Sequence, residues 1–284
     1  MTQKAEDASP THNIDPGLRD EHRPASPRPG LGLKDDLIMA LRFFSRLPSG
    51  SSPHARPDLG RIAMALPLAA AIMGMIPVLL VIAGTWAGLP PYFAATLAVA
   101  AMVLVGGGMM EDALADAADG LFGGSTPERR LEIFRDSRHG TYGVAALCLF
   151  LLLRVTALGS LAALNPFAAG AIWLAANIAG RSGGLWLAVA LPPARAEGAA
   201  ATAGALPASR FWIGAALGGL LVLLIGGTAA SVAGVVAALA AVMLTVLGWT
   251  ALCRRLVGGQ TGDLIGAAGA LGEIAALAIL LIFV

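Results

Sequence analysis

Apolar residues run along this chain in blocks longer than a soluble core requires. Windows of about 20 residues, the length that crosses roughly 30 Å of hydrocarbon, fall near 62–87, 92–110, 143–164, 168–191, 211–228, 231–252 and 262–284. Seven such windows predict an all-α, polytopic integral membrane bundle of about seven transmembrane helices. Ahead of them, Lys34 to Pro48 sets Leu37, Ile38, Leu41 and Phe44 at helical spacing with charges elsewhere, the pattern of a short helix lying at a membrane surface. Residues 1–33 hold five prolines and mixed charge with no apolar stretch. That excludes a cleaved secretory signal and predicts a disordered polar tail before a membrane domain over 34–284.

Composition supports the membrane class. The chain has 284 residues, 57% hydrophobic and 13% charged, with a mean hydropathy of +0.75. A soluble surface needs about twice that charge. The net charge of +1 argues against a basic nucleic-acid groove, yet it hides a strong asymmetry along the chain. Short uncharged links at 88–91, 165–167 and 226–229 alternate with links at 111–142, 192–210 and 253–261. These latter links carry Arg129, Arg130, Arg135, Arg138, Arg195, Arg210, Arg254 and Arg255, and Arg42, Arg46, Arg56 and Arg61 precede the first window. The positive-inside bias therefore predicts a cytoplasmic N-terminus and an outward C-terminus. Cys148 and Cys253 lack metal-ligand spacing and read as packing residues. The 36 glycines fit close helix packing, without a long-period repeat.

The densest chemistry follows the second window, at Glu111, Asp112, Asp116 and Asp119. Asp112, Asp116 and Asp119 recur at i, i+4 and i+7 and so share one helix face. No Lys or Arg interleaves them before Arg129. Uncompensated carboxylates at a membrane boundary point to a divalent cation, Mg²⁺ or in its place Mn²⁺, against the alternative of a solvated helix end. Mg²⁺ held in this way also takes substrate phosphate oxygens, which indicates phosphoryl or diphosphate chemistry. Glu111 lies off the shared face and reads as a further metal group or as an interfacial carboxylate.

Three more polar clusters fall on the same predicted side. Arg135, Asp136, Arg138 and His139 lie next to the third window, and 17 Arg against 2 Lys suits phosphate handling, though high-GC coding would produce the same bias. Asp136 either completes a metal shell or pairs with an arginine, and His139 reads as structural in preference to catalytic. Asn177 and Arg181 stand at i, i+4 near the end of the fourth window. Gln260, Thr261 and Asp263 follow two glycines before the last. A glycine-rich link opening a helix presents N–H groups to a phosphate, or Thr261 or Asp263 simply caps that helix. Arg154 and Glu273 each fall about eleven residues into a window, at similar depth, and are expected to neutralise one another.

The stretch DALADAADGLFGGSTPERRLEIFRDSRHGTYG, from Asp112 to Gly143, closely resembles a motif of the adenosylcobinamide-GDP ribazoletransferase, or cobalamin synthase, family. LRFFSRLP at Leu41–Pro48 and GGQTGDLIGA at Gly258–Ala267 resemble that family's first and last motifs, in the same order. One departure is visible: the family commonly has His-Glu-Asp-Gly here, whereas Met110 and Ala113 flank Glu111 and Asp112. The resemblance implies a multi-pass enzyme of the bacterial cytoplasmic (inner) membrane with its active site on the cytoplasmic side. It implies that adenosylcobinamide-GDP is joined to α-ribazole or its 5′-phosphate with release of GMP and a requirement for Mg²⁺. Asp112, Asp116, Asp119 and Glu111 are then the metal candidates, and Asp119 or Asp136 the general base. Arg135, Arg138, Asn177, Arg181, Gln260, Thr261 and Asp263 are the substrate-binding candidates. The implied partners are small corrinoid and nucleoside substrates and the lipid bilayer, without nucleic acid, together with a homo-oligomer or other late cobamide-assembly enzymes.

Two rival classes share part of this pattern. A CDP-alcohol phosphotransferase-like lipid synthase also places aspartates at helical spacing, but its Asp-Gly-x-x-Ala-Arg opening is absent. A polytopic transporter would place its binding groups near the bilayer midplane, whereas these lie at a boundary.

Overall fold

The computed structural model describes residues 32–51, 57–136, 138–195 and 206–284. Most of the tail expected over 1–33, and Arg56, lie outside those residues. Among the described residues every named element is a helix: α1 (Leu33–Phe44), α2 (Leu59–Trp86), α3 (Pro91–Gly106), α4 (Met109–Gly123), α5 (Pro127–Ile133), α6 (Thr141–Leu164), α7 (Pro166–Gly184), α8 (Trp186–Ala190), α9 (Ala208–Gly226), α10 (Val232–Val257) and α11 (Gly262–Leu280). A lone parallel bridge joins Pro193 to Gln260.

Helices α2, α6, α9, α10 and α11 are long and apolar enough to cross a membrane, and α3 with α4 makes a sixth candidate only as a broken pair bent by 86°. The seven apolar windows are thus all helical, but they are not seven equivalent spans. α7 carries Asn177, Arg181 and Ser182 in its second half and is the most enclosed long helix, walled in by α2, α9 and α11. α4, with four acidic residues in a 15-residue helix, is too short and too polar to cross alone. The outward faces of α9 and α10 expose Ile213, Leu220, Leu224, Leu244 and Leu247, as lipid-facing surfaces do.

Glycine sets the closest helix approach. A Cβ at Gly180 of α7 would stand 2.5 Å from the Glu273 nitrogen and the Gly269 oxygen of α11, and one at Gly184 would stand 2.6 Å from the Gly269 nitrogen. These are backbone atoms that cannot yield, so the small residues let the two helices touch. The bend between α3 and α4 has a different cause: Gly107 and Gly108 take φ of 63° and 70°, which a side chain disfavours.

The short first helix departs from its expected face. Its buried residues are Asp36, Met39 and Ala40, with Leu37, Ile38, Leu41 and Phe44 only half-buried. The reason is electrostatic: Arg61 Nε donates to Asp36 at 2.7 Å, which allows a carboxylate to face α2 beside the Met39, Ala40, Ile62, Ala65 and Ala69 cluster.

Candidate active site

The bend at Gly107–Gly108 aims α4 along the N-terminal half of α6. Asp112, Asp116 and Asp119 share a face as expected, but seven residues of helix separate the outer two by about 10 Å. The three therefore meet different neighbours. Asp119 is buried, accepting hydrogen bonds from Gly140 N–H at 2.7 Å and Gly143 N–H at 2.8 Å. Gly140 has no side chain to cap α6, so Asp119 does it from the neighbouring helix, where the helix dipole favours an anion. Gly143 must be glycine here, because a Cβ would lie 2.2 Å from Asp119 Oδ2. Asp119, expected as both ligand and base, has a capping task in this structure.

Asp112 and Asp116 instead group with His139, their ligand atoms all lying within 4.8 Å of one another. His139 Nδ1 stands 4.0 Å from Asp116 Oδ1. Burial pushes the Asp116 carboxyl up to about 6, with repulsion from Asp112, Asp263 and Asp119 adding to it and His139 opposing it. The group whose ligand atoms could meet one divalent cation is thus Asp112, Asp116 and His139, with Asp263 adding negative charge at Asp116. His139, read from sequence as structural in preference to catalytic, is brought to this group by the glycine after it, which seats the start of α6 against α4.

Glu111 is not with the other carboxylates. It faces Arg154, whose Nη1 donates to it at 2.8 Å while the Arg154 Nε donates to Glu273 at 2.8 Å. The Arg154–Glu273 pair expected from equal depth is present, enlarged by Glu111 into a buried triad. The correction follows from helix geometry, since residue 111 points about 100° away from residue 112.

Asp136 and Arg138 turn to each other. Arg138 donates to Asp136 through Nε at 3.0 Å and Nη2 at 2.7 Å, and its side chain is 87% exposed. The Arg138 hydrogen bonds hold the Asp136 carboxyl down at about 2, too weak a base for the role expected of it. Arg135 is exposed. Arg195, counted in the sequence only as a topology signal, lies in that region: its Nη2 donates to the Leu131 oxygen at 3.1 Å, its guanidinium stands 5.6 Å from the Phe134 ring centre, and Asp263 and Arg135 act on its charge.

The remaining candidates meet around a cavity of about 360 Å³. Asp112, Asp263 and Arg181 are its charged lining, and Phe43, Phe44, Leu66, Met109, Met110 and Ile265 supply much of the rest. Arg181 is held by Asn177, whose Oδ1 accepts from Arg181 Nε at 2.8 Å while its Nδ2 donates to the Ala70 oxygen at 2.9 Å. Asn177 itself is fully buried and does not line the cavity. Thr261 caps α11 by accepting from Leu264 N–H at 3.3 Å and contacts Asp263 at 3.3 Å, so it serves as the cap and also steadies the carboxylate. Gln260 fixes the preceding link through its backbone, donating to Pro192 and accepting from Ala194, each at 2.8 Å. Its buried Oε1 has no partner among the described residues.

All of these site residues fall inside residues 36–281, which match the cobalamin-5-phosphate synthase family. The chain belongs to that family. Over 252 residues it is 44% identical to an adenosylcobinamide-GDP ribazoletransferase of Azorhizobium caulinodans, covering 87% of this chain and 96% of the relative. A Bradyrhizobium diazoefficiens protein of the same name is 42% identical over 244 residues, or 85% of this chain and 91% of its own. A Brucella ovis relative, also so named, is 40% identical over 254 residues, covering 87% and 96%. No solved structure matches the chain. The cobalamin-5-phosphate synthase motif resemblances noted in the sequence coincide with three walls of the cavity: the end of α1, the acidic face of α4 and the start of α11.

Proposed function

We propose that this membrane protein catalyses the last joining step of cobalamin assembly, transferring the cobinamide phosphate of adenosylcobinamide-GDP to α-ribazole or its 5′-phosphate, with GMP leaving. The family and the shared name of its relatives support the reaction. The observation that carries it is the cavity, apolar over most of its lining but bearing two carboxylates and one arginine. Such a lining suits a bulky corrinoid that carries a diphosphate.

Asp112 and Asp116 would hold Mg²⁺ or Mn²⁺, with the charge of Asp263 adding to the anionic site. Bound there, the cation supplies charge neutralisation for the diphosphate and for the departing GMP phosphate. Arg181, which lines the same cavity, offers a fixed fork of donors to the phosphate oxygens. The ribazole 3′-hydroxyl oxygen forms the new bond to the cobinamide-side phosphorus as the bond from that phosphorus to the GMP oxygen breaks. His139, exposed beside Asp116, accepts the hydroxyl proton, in place of Asp119, which caps α6, and Asp136, which is held by Arg138. The arginines at the cavity end, Arg42, Arg46 and Arg61 among them, favour the cytoplasmic side of the inner membrane for this site.

Purified protein in detergent, given adenosylcobinamide-GDP and α-ribazole with Mg²⁺, is expected to release GMP and form a corrinoid product, and chelation is expected to stop it. Folded protein that forms no corrinoid product overturns the assignment. Nucleotide release from CDP-alcohol substrates instead would move the protein to the lipid synthase class.

A further inference from the structure

The buried charges behind the cavity form a larger set than a structural ion pair needs. Arg154 is fully buried, bonded to Glu111 and Glu273, and flanked by the Phe150 and Trp173 rings at 4.6 and 4.7 Å from its guanidinium carbon. One arginine against two carboxylates leaves a surplus negative charge. Arg181 is the balancing group: it directly follows Gly180, where a Cβ would stand 2.5 Å from the Glu273 nitrogen, so its charge lies beside this set, attracted by Glu273 and Glu111 and repelled by Arg154. Two arginines and two glutamates thus make a neutral quartet. Only Arg181 opens into the cavity.

Stability alone gives this quartet no purpose. Replacing buried ion sets with apolar groups of similar volume is often neutral or stabilising, and here Arg154 Nη2 and Glu273 Oε2 have no hydrogen-bond partner among the described residues. What the quartet does provide is a charged Arg181 in a nearly enclosed site. Asn177 fixes its direction: the Nδ2 donation to Ala70 turns the amide oxygen toward Arg181 Nε and occupies that nitrogen. Among the described residues the rest of the guanidinium has no hydrogen bond and is free for a ligand.

We infer that Glu111, Glu273, Arg154 and Asn177 are positioning residues that set the charge and direction of Arg181 as the phosphate-binding group of the cavity. This rests on the function proposed above and deepens it by assigning the diphosphate's protein contact and what tunes it. The quartet's net charge then governs affinity for the anionic substrate. Removing a carboxylate leaves an uncompensated positive charge and tightens phosphate binding. Removing Arg154, or placing a carboxylate against Arg181 Nε, ties up Arg181 and weakens it. One unit charge roughly 10 Å from the phosphate, at an effective dielectric of about 20, corresponds to about a tenfold change.

The test is steady-state kinetics on the purified full-length protein in detergent, varying adenosylcobinamide-GDP and α-ribazole separately. Glu273→Gln and Glu111→Gln are expected to lower KM for adenosylcobinamide-GDP by up to about tenfold, and Arg154→Gln and Asn177→Asp to raise it by a similar factor. KM for neutral α-ribazole stays constant. A scaffold role alone moves both groups of variants in the same direction, and that outcome, or no shift in KM, overturns the inference. Two variants of each sign guard against one that does not fold. Where only one sign yields folded protein, the split between the two KM values decides, because a scaffold defect also shifts KM for α-ribazole. A wild type without turnover would instead overturn the proposed function, so the two failures are distinguishable.

Discussion

At the residue scale, three aspartates of one helix face have three different environments. Asp112 is exposed at the cavity, Asp116 is half-buried between carboxylates, and Asp119 is buried on backbone N–H groups. Asp116→Asn removes a charge from the centre of the anionic set, and turnover is expected to fall roughly 100-fold or more with the protein still folded. The acid limb of the wild-type pH profile is expected to follow the same residue. Its carboxyl, raised to about 6, is protonated as pH falls through that value, so a proton then competes with the cation and activity drops. Added Mg²⁺ should move that limb to lower pH; a limb that ignores Mg²⁺ concentration would assign it to another group. Asp136→Asn is expected to keep turnover within about twofold, because its exposed pair with Arg138 contributes little. A collapse of turnover in that variant would restore Asp136 as the base.

At the scale of elements, α4 is legible in the sequence as an acidic helix, but its neighbours are not. The i, i+4, i+7 spacing determines a face, whereas the 86° bend and the cap at the start of α6 determine what each position of that face meets. The packing of α7 on α11 is likewise anticipated only as a general abundance of glycine. Gly180→Ala tests the contact: the added Cβ meets backbone at 2.5 Å, so α7 and α11 must separate, at a cost of about 1–3 kcal/mol. Thermal unfolding in detergent would show a lowered midpoint, and because Arg181 follows directly, KM for adenosylcobinamide-GDP should rise with it.

At the scale of the whole molecule, α7 is the axis. It carries Trp173 against the buried arginine, Arg181 into the cavity with Asn177 bonded behind it, and glycines against α11. Its polar second half explains why it falls below the apolarity of a membrane span although it sits inside the bundle, where protein and not lipid surrounds it. Near the links joining α2 to α3 and α6 to α7, at the other end of α2 from the cavity, Trp86, Tyr92, Phe93 and Phe167 are exposed, the placement expected of an interfacial aromatic belt.

The sequence by itself determined the membrane class, the helical content, the acidic face and the family, because hydropathy and motif spacing are properties of contiguous residues. It also determined that Arg154 and Glu273 lie at equal depth, since rise per residue is constant. Tertiary structure alone decided that Glu111 joins them, that Asp119 caps α6, that Asp136 is spent on Arg138, and that His139 stands beside Asp116. Each of those depends on the direction in which one helix meets another, which a pair of glycines and a few close approaches set and no local periodicity records.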